Sequence, residues 1–157
     1  KEVDEDMIIG QQTEGVCEKI IFFRFKRTGV ALMDKLAYNF QYYRAYKKAL
    51  QTYISREGKP AVVHIHVPMN AGMMGRWIKR EWGIPYIISE HSSHYNGKTD
   101  DDFSAKIFFH RYNVRQVFRD AVAVTNVSTV IGDKLKGLFG INDVRIIHNT
   151  VDTRFFY

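Results

Sequence analysis

PAVVHIHVPMNAGMMGRWIKREWGIPYIISEHSSHY, residues 60–95, is the stretch that decides the fold. Two short apolar runs, Ala61–Ile65 and Tyr86–Ser89, each end at or near a histidine. A helix-length segment from about Ala71 to Trp82 separates them, with Gly72 and Gly75 near its start and Gly83-Ile84-Pro85 as its exit. Strand, helix and strand with polar residues at both strand ends is the pattern of a parallel α/β sheet. Ligands of such sheets bind beyond the carboxyl ends of the strands. His66, Asn70, Glu90, His91, Ser92 and Ser93 therefore fall where a site would be built.

The pattern extends in both directions. Upstream, Met7–Thr13 and Val16–Arg24 are β-rich runs around Glu14-Gly15, as in a hairpin or two adjacent strands. Leu32, Leu36, Phe40, Tyr43, Leu50 and Ile54 step by threes and fours, so a long amphipathic helix is expected over Val30–Arg56, ended by Gly58 and Pro60. Downstream, His91–Asp102 is polar and loop-like. A helix marked by Phe103, Ile107, Val114 and Phe118 follows, then a strand over Ala121–Thr125. Ser128 is placed to cap a helix that Gly140 ends, and Val144–Ile147 is the last strand. The order predicts a Rossmann-like, three-layer α/β/α sandwich with a mostly parallel sheet and an N-terminal β-hairpin.

Composition sets the class. At 157 residues, with 45% apolar and 14% aromatic residues, the chain is one globular domain with a real core. No apolar run approaches the ~18 residues of a membrane span. The N-terminal KEVDEDM has neither the basic flank nor the apolar stretch of a signal peptide. A lone Cys17 precludes an internal disulfide and suits a reducing, cytoplasmic setting. The charge of +6 favours an anionic partner, such as a nucleotide-linked substrate or a lipid surface. The chain opens on a charged segment without Met and closes on Arg154-Phe155-Phe156-Tyr157, which reads as a cut just past a domain boundary.

Several constellations admit more than one chemistry. His64 and His66 share one face of a strand and, with Glu90, His91 and His94, could make a metal cluster. The expectation is instead that His64 is hydrogen-bonded within the sheet layer and only His66 reaches the rim, with no metal. Gly72 and Gly75 could admit a phosphate to a helix start, or allow close helix–sheet packing. Glu90-His91-Ser92-Ser93 lacks a nucleophile elbow and fits a polar rim for sugar hydroxyls better than a triad. Lys35, Arg44, Lys47 and Lys48 among tyrosines, and Lys106, Arg111, Arg115 and Arg119 on a later helix, suit a membrane surface or a solvated face. No nucleic-acid motif is visible.

Four motifs in order resemble the family 4 retaining glycosyltransferases. Ala61–His66 is similar to their D-[VI]-[VI]-H-x-H strand, and Gly83–His91 to G-[IV]-P-x-[VI]-x-[ST]-x-H. Ala121–Ser128 is similar to A-D-x-[VI]-x-x-V-S, and Ile146–Phe155 to V-[IV]-x-N-G-V-D-x-x-x-F, with Thr150 in place of the usual Gly. The resemblance implies half of a GT-B fold. Residues 1–157 would be the N-terminal, acceptor-binding domain without its first strand, and the donor-binding C-terminal domain with its E-x7-E motif would lie outside the chain. It implies transfer of a sugar, with retention, from a nucleotide-sugar donor to a glycan or lipid-linked acceptor in bacterial surface polysaccharide synthesis, without a cofactor or catalytic metal. His91 would be catalytic, and His66, Asn70, Glu90, Ser92, Ser93, Asn149 and Asp152 would bind substrate. A cytoplasmic enzyme, peripheral on the inner face of the membrane, is expected, inactive and prone to self-association as this fragment alone. A sugar-nucleotide epimerase of similar fold and a non-catalytic glycan- or nucleotide-binding module are the alternatives.

Overall fold

The computed structural model describes residues 7–13, 15–25, 27–91, 95, 103–150 and 152–155. They fall in two compact units, Lys1–Lys59 and Pro60–Tyr157.

The first unit is a hairpin and a helix. Strands β1 (Met7–Thr13) and β2 (Val16–Phe22) pair antiparallel, and Thr13 opposite Val16 closes the register. Gly15 at the turn sits at φ 83°, a left-handed conformation that costs glycine little. Helix α1 (Ala31–Glu57) runs 27 residues, within one residue of the expected span at each end. Tyr38, Tyr42 and Tyr46 recur every fourth residue and so share one helical face. The Phe23 ring lies 5.4 Å from that of Tyr38 and 6.0 Å from that of Tyr42. Lys19 Nζ sits 4.9 Å above the Tyr53 ring. The tyrosines thus hold β2 and its extension against α1 through ring contacts.

The second unit carries the α/β pattern. β3 (Val63–His66), α2 (Pro68–Trp82), β4 (Tyr86–Glu90), α3 (Phe108–Asp120), β5 (Ala123–Asn126), α4 (Thr129–Phe139) and β6 (Arg145–Ile146) follow in turn. Short 3-10 turns occur at Phe103–Ala105 and Thr153–Phe155. The sheet order is β3-β4-β5-β6, all parallel, with Ile65 opposite Ile88 and Ile88 opposite Val124. Those three residues are buried with Val114, Val117 and Phe118 of α3 and with Leu135 and Phe139 of α4. Phe118 and Phe139 stack at 4.1 Å. The mixed α/β class, the mostly parallel sheet and the N-terminal hairpin are as the sequence predicts.

Packing on α2 explains its glycines. A Cβ on Gly72 would collide with Val117, and one on Gly75 with Ile65. The two positions therefore serve close packing of α2 on α3 and on the sheet. Gly83 and Gly140 end α2 and α4 at φ 72° and 63°, each donating its N–H to the carbonyl four residues back.

Boundaries differ from expectation where hydrogen bonds decide them. β3 begins at Val63 rather than Ala61, because the ladder starts where Val63 N–H reaches the Pro85 carbonyl at 3.0 Å. α2 begins at Pro68 rather than Ala71, since proline at the first position lacks only a donor the helix does not use. β5 starts at Ala123 rather than Ala121 and ends at Asn126. Ser128 occupies the cap position of α4, but its hydroxyl makes no cap bond. Asn126 Oδ1 accepts Ser128 N–H at 2.8 Å instead, closing a turn through the strand-end asparagine.

Candidate functional site

The site grows from the carboxyl ends of β3, β4 and β5. His64 and His66 project from the same face of β3, opposite to Ile65. Their rings lie 4.2 Å apart. His91 follows the last residue of β4 directly, and its ring lies parallel to that of His66 at 5.5 Å, with His91 Nε2 3.4 Å from His66 Nδ1. This separation is long for a hydrogen bond, as catalytic contacts often are before substrate tightens them. Of the expected rim residues, His66 and His91 are the pair that the structure brings together, and both are exposed.

A polar chain crosses the sheet beneath them. His64 Nε2 lies 2.7 Å from Ser89 Oγ, and Ser89 Oγ lies 2.7 Å from Thr125 Oγ1. Thr125 Oγ1 donates to the Ile88 carbonyl at 3.4 Å. With the Thr125 proton committed there, Ser89 donates to Thr125, and His64 donates its Nε2 proton to Ser89. His64 is hydrogen-bonded in the sheet, as expected, but its side chain remains exposed rather than packed. Burial, and then the nearby His66 and His91, hold its pKa below the usual histidine value, so the neutral ring is favoured.

Glu90 departs from a rim position. It is 1% exposed and faces the core side of β4, where the Tyr95 hydroxyl donates to Oε2 at 3.0 Å. Burial and the neighbouring Glu90 push the Tyr95 hydroxyl well above the usual tyrosine range, so it stays a donor. Asn126 Nδ2 donates to the Glu90 carbonyl at 2.6 Å. Glu90 and Asn126 thereby fix the backbone that carries His91. Val67, between His66 and α2, is the one non-glycine residue at positive φ (54°) among the described residues, an uncommon conformation for a β-branched side chain.

The other expected residues lie elsewhere. Asn70 is exposed in the first turn of α2, on the carboxyl side of β3. Asn149 is exposed beyond β6. Asp152 pairs with Arg154 at 2.6 Å, and that hydrogen bonding holds its carboxyl below the usual range. Ser92, Ser93 and His94 lie outside the described residues. Sequence reasoning passed over Thr125, Asn126 and His148. The last donates Nδ1–H to the Val127 carbonyl at 3.0 Å, beyond the end of β6. The signal was present, since each is a polar residue at a strand end. It also passed over Arg76, which is buried in α2 and paired with Asp120 at 2.6 Å.

The comparisons agree with this geometry. The family described as Glycosyltransferase Family 4 matches residues 8–155. A search of the curated proteins finds no match. The match spans nearly the whole chain, and the chain belongs to the family 4 glycosyltransferases.

Proposed function

We propose that this chain is the acceptor-binding half of a retaining glycosyltransferase, which moves a hexosyl group from a nucleotide sugar to a glycan or lipid-linked acceptor in surface polysaccharide assembly. The observation that carries the proposal is the contact of His66 with His91 at adjacent strand ends in a family 4 domain. In this reading the bond from the sugar's anomeric carbon to the nucleotide phosphate breaks, and a bond to an acceptor oxygen forms on the same face. The acceptor hydroxyl proton leaves with the departing phosphate.

His91 is the residue assigned to the reacting sugar. Its backbone carbonyl or ring orients a dipole toward positive charge at the anomeric carbon. His66, touching it, shares the acceptor side with Asn70, Ser92 and Ser93. Asn149 and Asp152 close the floor. Glu90, buried and bonded to Tyr95, contributes by holding the segment that presents His91 rather than by touching sugar. The enzyme works in the cytoplasm, at the inner surface of the membrane, and needs no cofactor.

The test is kinetic. In the enzyme that carries this domain, His91→Ala lowers kcat by ~10²–10³ with little change in KM, because a group beside developing charge acts on the transition state. His64→Ala, one position removed from that contact, leaves kcat within a few-fold. Near-normal turnover of the His91 variant would refute the assignment.

A further inference from the structure

A cluster of exposed aromatic residues projects from the same end of the sheet as the histidines. Ile107, Phe108, Phe109 and Tyr112 are 68%, 75%, 70% and 50% exposed. All lie at or just before the first turns of α3. The packing of α3 on α2 gives their height. Val117 lies against Gly72, while Asp120 meets Arg76 and Lys79 one to two turns further along α2. The two helices therefore run in the same direction, side by side. From Val117 back to Phe108 is nine residues, a rise of ~13 Å, whereas α2 extends only ~6 Å above Gly72 to Pro68. Phe108 thus stands ~7 Å beyond the start of α2, past the strand ends.

The charge on this helix has one sign. Arg111, Arg115 and Arg119 lie on the flank of α3 turned away from buried Val114, Val117 and Phe118. Arg115 keeps one bond to the core unit, Nε to the Leu138 carbonyl at 3.2 Å. The only acid in the helix, Asp120, is tied to Arg76. The nearest acids upstream in sequence, Asp100, Asp101 and Asp102, lie outside the described residues. Aromatic rings at a helix tip with arginines along the same flank match the two layers of an anionic membrane surface. The rings suit the boundary between acyl chains and headgroups, and guanidinium groups suit the phosphates. No described helix is long and apolar enough to cross a membrane, so the contact is one of insertion at the surface.

We infer that Ile107, Phe108, Phe109 and Tyr112, with Arg111 and Arg119, form a docking tip for an anionic lipid bilayer. The tip seats the strand ends bearing His66 and His91 at the membrane surface. The inference rests on the proposed lipid-linked acceptor for its purpose only. Lipid binding requires no sugar transfer, so it can fail while the transferase reading stands, and the reverse.

Vesicle flotation of the chain tests it, with phosphatidylcholine vesicles alone and with about one third phosphatidylglycerol. The chain is expected to float with the anionic vesicles and to bind the neutral ones about tenfold more weakly, with loss of binding at high salt. Combined Phe108→Ser, Phe109→Ser and Tyr112→Ser changes lower anionic binding at least about tenfold, and Arg111→Gln with Arg119→Gln does the same while restoring salt independence. These side chains are exposed, so unchanged circular dichroism and melting are expected of each variant. Failure of the wild-type chain to bind anionic vesicles overturns the inference. So does equal binding by well-folded variants, which would move the contact to another face such as α1. Binding to single-stranded RNA without vesicle binding also overturns it.

Discussion

At the scale of the residue, the His64–Ser89–Thr125 chain makes a prediction about pH. The folded state lowers the pKa of His64 relative to its ordinary value of 6.5, chiefly through burial and then through His66 and His91. Between the folded value and 6.5 the unfolded chain binds more protons, so stability rises with pH across that window. It is lost as the pH falls below 6.5, and the loss levels off once the folded pKa is passed. Thermal melting between pH 7.5 and pH 5 should show a steeper decline for the wild type than for His64→Gln, whose amide can still donate to Ser89 but does not titrate. Equal slopes would show that His64 is not held neutral by the fold. The two residues that form the site's contact, His66 and His91, were legible because each ends an apolar run. The burial of Glu90 was not, because its partner Tyr95 lies across a polar stretch that gives no sign of folding back to the core. The Arg76–Asp120 pair was equally hidden, since 44 residues separate the partners and only the packing of α2 on α3 joins them.

At the scale of the element, α2 and α4 offer a matched test of what glycine does in a helix. Gly72 has Val117 side-chain atoms in the space a Cβ would take, two of them at 3.2 and 3.3 Å and one closer still. Val117 is fully buried and cannot move away cheaply. Gly72→Ala is therefore expected to cost about 1–3 kcal/mol through overpacking, despite its better helix propensity. Gly137 in α4 is exposed, and a Cβ there would meet nothing within 4 Å. Gly137→Ala should gain up to about 1 kcal/mol from propensity alone. Opposite shifts in the urea midpoint of unfolding, at unchanged slope, are the expected result. A stabilising Gly72→Ala would mean that α2 and α3 do not pack so closely. Element order was legible because Gly58, Pro60, Gly83 and Gly140 punctuate apolar runs of the right period. Element ends were not, because the first ladder bond of β3 and the Asn126 turn at α4 depend on neighbouring strands that a local pattern cannot show.

At the scale of the whole molecule, the question is which substrate the chain holds by itself. A nucleotide sugar is bound mainly through its phosphates, and a phosphate needs a glycine-rich turn, a free helix start or clustered cations. The sequence contains no G-x-G-x-x-G, no P-loop and no E-x7-E. The two glycines near the start of α2 face Val117, Ile65 and Tyr86, so their close approach is already used for packing. Pro68 at the head of that helix removes one of the N–H groups an anion would need. What the described strand ends do offer is imidazole and amide, which suit sugar hydroxyls better than pyrophosphate. Titration calorimetry of the chain with UDP- and GDP-sugars is therefore expected to give dissociation constants of about 1 mM or weaker, a binding free energy near −4 kcal/mol. His91→Ala should leave that weak value unchanged, since on this account the residue acts on the reacting carbon and not on the nucleotide. A micromolar constant, lost on changing residues at the start of α2, would place the donor on this unit and reverse the assignment of the His66–His91 edge to the acceptor.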